Sequence, residues 1–298
     1  MELTNTPARP AALKTLLCLA TLAAAAGAHS TPTALAPLYA GSFAPGTGSD
    51  ARFVQIDPNW HGSSVLWTEP VNVNTPGYYG SGVAIGTFGW GTGLWGRADW
   101  DLIQATAAGS GGPGAPTIVN QWTGQVSSIN YANPCYNNAY SGTWGPAAAL
   151  PFDAGACGAN PGNWTSHFSG FVRVTEASLY NFSVLYDDGF FFRLIGEGGQ
   201  TLEIGKDFLN SRDRLGFAGD LDLSVGLYGF ELGSWNRLEA GVVDLRWSRD
   251  EGTTWTPVPT TNLVPGSAVD EPALPLLLVA ALAAALAVRR RPAGPIGA

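Results

Sequence analysis

The sequence is poor in charged residues, histidine and cysteine. Of 298 residues only 13% are charged, and there are three histidines and three cysteines. These form no ligand-spaced cluster of the kind that binds zinc. Between the two terminal signals described below, residues 29–270 carry 21 acidic and 10 basic residues, with Lys206 as the one lysine. Because nucleic-acid binding depends on clustered lysine and arginine, this balance argues against nucleic-acid partners.

Glycine, proline and tryptophan are abundant, at 39, 21 and 11 residues, and no segment before residue 270 has a convincing helical period. A period of two, typical of strands with one buried face, recurs instead. Apolar residues alternate with polar ones at Tyr180, Phe182, Val184 and Tyr186, at Leu221, Leu223 and Val225, and at Val243, Leu245 and Trp247. The pattern predicts an all-β protein, a β-sandwich or a closed barrel.

The N-terminus has the features of a secretory signal peptide. Arg9 and Lys14 precede an apolar run at residues 16–26, and a small-residue cleavage site follows at Ala28. We therefore expect residues 1–28 to be removed on export, with an uncleaved anchor as the alternative. In an exported chain the two remaining cysteines, Cys135 and Cys157, are expected to form a disulfide.

The C-terminus carries an apolar segment, Leu274–Val288, followed at once by Arg289, Arg290 and Arg291. Fifteen helical residues span about 22 Å, which suffices for a short membrane helix if the flanking side chains snorkel. The arginines would stay on the cytoplasmic side of the membrane. An ordinary C-terminal membrane anchor is one interpretation of this segment.

The second interpretation is a sorting signal at residues 268–298. Glu271 and Pro272, the apolar helix and the arginine cluster together resemble a PEP-CTERM tail, although Asp270 stands where such tails usually have proline. The resemblance implies processing by exosortase, a membrane transpeptidase of Gram-negative bacteria. It also implies transient anchoring in the inner membrane and delivery to the cell surface, the outer membrane or the extracellular matrix.

The mature chain divides by composition near residue 120. Residues 29–120 are rich in glycine and tryptophan, as in GWGTGLWG at residues 89–96, and end in a linker-like stretch at residues 107–116. Strand signals strengthen over residues 121–265. The first region is either a separate small β-domain or a set of extra strands on the second.

One stretch of the second region, YDDGFFFR at residues 186–193, places Asp187 and Asp188 beside three phenylalanines. Adjacent carboxylates repel, and apolar neighbours make each costly to ionise unless a positive charge lies nearby. Asp-Gly is also a strong signal for a short loop between two strands. The residues alone therefore permit a solvated turn or a cation site.

The order of motifs around this pair resembles a PA14 domain over residues 121–265. The matching segments, in chain order, are His167–Val174, Leu179–Val184, Asp187–Gly189, Gly226–Leu232 and Val243–Ser248. The resemblance implies a PA14-like β-sandwich or barrel. In the lectin branch of the family, adjacent aspartates share one Ca²⁺ whose coordination the sugar completes.

Carried over by motif, the resemblance implies calcium ligands at Asp187, Asp188 and Asn236. It also implies Trp235 as an aromatic wall for the sugar, in a loop that follows the GLYGFEL strand. Two carboxylates, an amide oxygen and sugar hydroxyls are ligands that Ca²⁺ accepts.

The expected function is therefore an exported surface or matrix protein with a glycan-binding module. A structural protein of the exopolysaccharide matrix, without a specific ligand, is the first alternative. A secreted glycan-active enzyme is the second, but no motif marks the two converging carboxylates that a glycosidase needs. The chain is therefore not expected to be an enzyme.

The sorting signal makes a direct prediction about the mature chain. If exosortase processes the tail, protein from the native host lacks the segment after about Pro272. Intact-mass analysis of the surface fraction measures this. A mass that still includes Arg289, Arg290 and Arg291 would contradict it.

Overall fold

The computed structural model describes residues 31–57, 60, 94–139, 142–152, 163–237 and 240–268. The predicted signal peptide, the sorting tail and Cys157 lie outside these ranges, and no helix within them has the length and apolar character of a membrane span. The described ranges contain one α-helix, α1 (Arg97–Ala107). The strands, in chain order, are β1 (Thr33–Leu35), β2 (Tyr39–Ala40), β3 (Ser49–Ile56), β4 (Ile118–Val126), β5 (Asn130–Ala132), β6 (Ala148–Ala149), β7 (Asn163–Val174), β8 (Ser178–Asp187), β9 (Gly189–Ile195), β10 (Thr201–Lys206), β11 (Asp213–Gly216), β12 (Leu221–Leu223), β13 (Gly226–Arg237), β14 (Val242–Ser248), β15 (Thr256–Pro257) and β16 (Leu263–Val264).

The strands form two sheets. Sheet one has the order β1-β12-β8-β14-β5-β6, with β11 paired to β8 and β15 paired to β14. Sheet two has the order β10-β9-β13-β7-β3-β4, with β16 paired to β7 and β2 paired to β13. Side chains of both sheets share one core, in which the rings of Phe182 and Phe192 lie 5.6 Å apart. The expectation of a mainly β protein is confirmed.

The period of two places the apolar side chains as the sequence predicts. The alternating residues of β8, from Tyr180 to Tyr186, are buried in this core. The three phenylalanines of β9 divide between the two faces of sheet two. Phe190 and Phe192 enter the core, and Phe191 lies on the outer face against Trp100, with ring centroids 4.8 Å apart.

Helix α1 covers this outer face, and the expectation of no helix before residue 270 is wrong. Trp100 Nε1 donates to Ser166 O at 2.9 Å, and Gln104 Nε2 donates to Thr165 Oγ1 at 2.9 Å. The buried stripe of α1 thus includes a glutamine that finds its partner on β7. That polar residue interrupts the apolar period by which a short helix is recognised.

The residues before 121 belong to both sheets. Strand β3 pairs with β7 and β4, β1 pairs with β12, and β2 pairs with β13. The Phe53 ring lies 5.4 Å from Phe168 and 5.0 Å from Tyr131 in the shared core. Of the two alternatives for this region, the described residues follow the second, extra strands on the same sheets.

Three connections between the sheets meet at one end of the sandwich. Strands β8 and β9 lie in different sheets, and only Asp188 separates them. At the same end the chain crosses from β10 to β11 through residues 207–212, and from β13 to β14. Of the two alternatives for the acidic pair, the solvated turn at the tip of a hairpin is therefore wrong, because β8 and β9 do not pair with each other. We call Asp187, Asp188 and Gly189 the acidic corner.

The burial of Phe53 on β3 predicts that the residues before 121 contribute to the stability of the whole fold. Phe53 is fully buried, so Phe53→Ala should lower the free energy of unfolding by about 3–5 kcal/mol. Val119→Ala on β4 is the control, because its side chain is exposed, and its effect should stay within about 0.5 kcal/mol. Urea unfolding measures both. Equal, small effects would mean that β3 is not part of the core.

Candidate functional site

Asp188 is the buried centre of the acidic corner. Its Oδ2 accepts a hydrogen bond from Arg237 N at 2.7 Å, and its own N–H donates to Trp235 O at 2.8 Å. Its carbonyl oxygen accepts from Asn210 N at 3.1 Å, and the peptide bond between Asp187 and Asp188 is cis. Asp188 is thus hydrogen-bonded both to the end of β13 and to the connection between β10 and β11.

Asp187 is partly exposed and paired with an arginine. Its side chain is 17% exposed, and its Oδ2 accepts from Arg212 Nη2 at 3.0 Å. Arg212 belongs to the connection between β10 and β11, and its side chain is only 6% exposed. The same Nη2 donates to Ala240 O at 2.8 Å, and Nη1 donates to Tyr136 O at 2.9 Å.

The environment of Asp188 disfavours its charged form. Burial raises the pKa of its carboxyl well above the usual range, and the neighbouring charge of Asp187 raises it further. The N–H and the positive charge of Arg237 act in the opposite direction and lower the same pKa. Arg237 is itself held under Trp95, with its guanidinium carbon 4.2 Å from the ring centroid.

Trp235 was expected to form an exposed wall for a sugar, and the structure contradicts this. Its side chain is 1% exposed and packs with Trp100 and Phe191 beneath α1. It lies in β13 rather than in a loop, and it pairs with Gly189. A Cβ at Gly189 would lie 2.4 Å from the indole, so the glycine of Asp-Asp-Gly leaves the space that Trp235 fills.

Asn236, the third expected calcium ligand, is also buried in β13, at 1% exposure. It follows Trp235 and precedes Arg237, so the structure brings it close to the acidic corner. Its amide lies against Gly241, where an added Cβ would be 2.3 Å from Asn236 Cγ. The three expected ligands are thus near one another. Asp187 and Asp188 lie where the chain crosses between the sheets, and Asn236 lies in a strand rather than in a loop.

Three residues around the corner were not identified from the sequence. Arg212 is one, and the exposed aromatic side chains of Trp144 and Phe208 are the others, at 43% and 46% exposure. The Arg212 guanidinium carbon lies 5.6 Å from the Trp144 ring centroid. Phe208 stands two residues before Asn210, which is bonded to Asp188. For Arg212 and Phe208 the sequence did offer a signal, because both lie in a polar segment at residues 206–216 that is longer than a tight connection needs.

The loop that presents Trp144 is tied to the same end of the sandwich. Asn133 Oδ1 accepts from Gly241 N at 3.0 Å, and Asn137 Oδ1 accepts from Trp144 N at 2.8 Å. Cys135 in this loop is buried and disulfide-bonded. Since Cys157 lies outside the described residues, its pairing with Cys135 stays a prediction.

The corner has the donor chemistry that Ca²⁺ prefers but not the charge. Carboxylate and carbonyl oxygens are suitable ligands, yet Asp187 Oδ2 and Ala240 O both accept from Arg212 Nη2. A divalent ion on these oxygens would face a buried guanidinium at contact distance. Among the described residues, no group of three or more His, Cys, Asp and Glu side chains is arranged to hold a metal. With Arg212 in place, the corner does not fit a calcium ion.

No protein-family model matches the chain, and no curated protein is similar to it at a significant level. Solved structures similar to it include PA14 domains. The PA14 domain of the antifreeze protein MpAFP is 14% identical, with 77% of this chain and 97% of that chain covered and a TM-score of 0.38. The A domain of epithelial adhesin 6 from Candida glabrata, in complex with Galβ1-3GlcNAc, is 12% identical, with coverages of 78% and 92% and a TM-score of 0.43. A PA14 sugar-binding domain from an RTX adhesin is 13% identical, with coverages of 74% and 99% and a TM-score of 0.38.

The raised pKa of Asp188 predicts a pH-dependent stability. Because the pKa is higher in the folded chain than in the unfolded one, folding takes up a proton between the two values. The free energy of unfolding should therefore fall as the pH rises from the usual carboxyl range to the folded-state pKa. Asp188→Asn should flatten this fall and keep the fold, since an amide oxygen can still accept from Arg237 N.

Urea unfolding at a series of pH values measures this effect. Asp222→Asn is the matched control, because Asp222 is an exposed aspartate on β12. It should leave the slope of stability against pH unchanged. An Asp188→Asn profile parallel to that of the wild type would contradict the assignment.

Proposed function

We propose that this chain is a binding module for neutral glycans, and that the ligand binds at the end of the sandwich where the acidic corner lies. One observation carries the proposal. Of the three exposed large apolar side chains among the described residues, Trp144 and Phe208 both lie beside the corner, and the third, Val119, is on β4. Exposed aromatic side chains grouped around polar groups are typical of binding sites.

The two kinds of group suit a sugar ring. The apolar face of a pyranose can pack on an exposed indole or phenyl ring, which supplies contact area at a low cost in side-chain entropy. Hydroxyl groups at the ring edge can donate to the partly exposed carboxylate of Asp187, which forms stronger hydrogen bonds than a neutral acceptor. The acidic balance of residues 29–270 favours a neutral ligand over a phosphate-rich one.

The backbone at Phe208 supports a functional role for its loop. Phe208 has a φ of 62°, a left-handed conformation that is rare for a bulky residue. Its N–H donates to Asp207 Oδ1 at 2.6 Å, and its carbonyl oxygen accepts from Trp235 Nε1 at 2.9 Å. Conformations of this kind persist where the surroundings hold them, and they cluster at binding sites.

The resemblance to PA14 domains supports the ligand class. Among the similar solved structures, one is described as a sugar-binding domain and another contains Galβ1-3GlcNAc. We extend to this chain only the class of ligand. The predicted signal peptide and the predicted sorting tail support the further proposal that the module acts at the cell surface or in the extracellular matrix.

Binding, rather than hydrolysis, is the proposed activity. A glycosidase holds two carboxyl groups facing one bond across a cleft. Here Asp188 is buried and hydrogen-bonded to Arg237 N, and Asp187 is paired with Arg212. Both acids at the corner are therefore engaged with groups of the chain itself.

A glycan array, followed by titration of the best ligand, tests the proposal. Trp144→Ala should weaken binding by about fivefold or more, because a central aromatic contact is worth more than about 1 kcal/mol. Phe208→Ala should also weaken it. Trp255→Ala is the matched control, since this tryptophan precedes β15, which pairs with the end of β14 remote from the corner.

Each outcome of this experiment decides between the candidate functions. Binding that Trp144→Ala reduces and Trp255→Ala leaves unchanged supports the proposed site. Equal losses in both variants would place the ligand elsewhere. A folded protein that binds no glycan on the array would favour the structural role in an exopolysaccharide matrix.

A further inference from the structure

The acidic corner contains its own cation, the guanidinium of Arg212. This group bonds to oxygens from three separate segments: Asp187 at the end of β8, Ala240 before β14 and Tyr136 in the β5–β6 connection. Its carbon also lies 5.0 Å from the Tyr136 ring centroid. A side chain that is 6% exposed and bonded on several sides is fixed in place.

A planar guanidinium suits this position. It presents several N–H donors in a rigid fork, so that one nitrogen can bridge a carboxylate and a carbonyl while the other reaches a third oxygen. A lysine ammonium is a single point charge and is more strongly hydrated, so it would be more costly to bury. The geometry at the corner therefore specifies arginine rather than positive charge alone.

The position of Arg212 has a consequence for metal ions. Calcium binds carboxylate and carbonyl oxygens, and Arg212 Nη2 is already bonded to one of each, Asp187 Oδ2 and Ala240 O. We propose that Arg212 takes the place of a divalent cation at the acidic corner. The corner is thereby held together, and available to ligand, without calcium. The part of this proposal that concerns ligand binding rests on the proposed function, whereas the part that concerns the corner itself does not.

The melting temperature in calcium and in chelator tests the corner without any glycan. The wild type should melt at the same temperature in millimolar calcium and in excess chelator. Arg212→Ala should melt lower than the wild type in chelator, because it leaves the largely buried carboxylate of Asp187 without its ion-pair partner. Calcium should then raise its melting temperature, since the ion can reach the vacated oxygens.

Arg214→Ala is the matched control. Arg214 also bridges the strands of sheet one through a carboxylate, with Nη2 donating to Asp244 Oδ2 at 2.7 Å, but it does not touch the acidic corner. Its removal should lower the melting temperature equally in calcium and in chelator. If Arg212→Ala does not fold in chelator, Arg212→Gln replaces it, because glutamine keeps hydrogen-bonding groups at the corner but removes the charge, and the same calcium-dependent rise is expected.

The outcomes separate this proposal from the proposed function. A wild type that calcium stabilises, with the effect abolished in Asp188→Asn, would overturn the role of Arg212. So would an Arg212→Ala chain as stable as the wild type in chelator, or one whose melting temperature calcium leaves unchanged. Glycan binding by the wild type should be equal in calcium and in chelator. Absence of any glycan binding would contradict the proposed function alone, because the melting data do not depend on a ligand.

Discussion

The contact on which the rest of this structure depends is the pair of hydrogen bonds between Asp188 and β13. Asp188 stands where the chain passes from sheet one to sheet two, and its N–H and carboxylate bond to Trp235 O and Arg237 N. Strand β13 ends at Arg237, and the next strand, β14, belongs to sheet one and begins at Val242. The carboxylate thus joins two crossings that lie far apart in the sequence. A buried acid therefore holds the two sheets together at this end, although its burial costs free energy.

Fixed arginines offset part of the cost of placing two acids at this corner. Arg237 is stacked on Trp95, and Arg212 is stacked on Tyr136 while it bonds to Asp187. A buried charge without a partner shifts its pKa and neutralises. Burial and the charge of Asp187 raise the pKa of Asp188, and the N–H and charge of Arg237 offset only part of that rise. The same arrangement leaves the outer side of the corner polar and rigid, bordered by exposed aromatic rings. Structural support and a surface suited to binding therefore arise from the same few residues.

The sequence predicts β8, β12 and β14 well, because their apolar residues alternate with polar ones and face the core. It does not predict the position of Trp235, since β13 is buried on both faces and the outer cover comes from α1. That helix escapes prediction because Gln104 interrupts its apolar stripe. The acidic corner is not predicted for a different reason. The sequence Asp-Asp-Gly is compatible both with a hairpin turn and with a crossing between two sheets. Only the partner strand distinguishes them, and the partner lies nearly fifty residues later, at Trp235.

The pairing of the first strands with late ones dictates the order in which the molecule can assemble. Strand β1 pairs with β12 at Leu221, and β2 pairs with β13 at Leu227. These early strands therefore cannot form their native pairs until most of the chain has been synthesised. Contacts between residues so distant in sequence make folding slow, on the scale of milliseconds to seconds. Until β13 emerges, the apolar strands of the first half have unpaired edges, and such edges promote aggregation. This topology therefore favours a nascent chain that is kept unfolded until its synthesis is nearly complete.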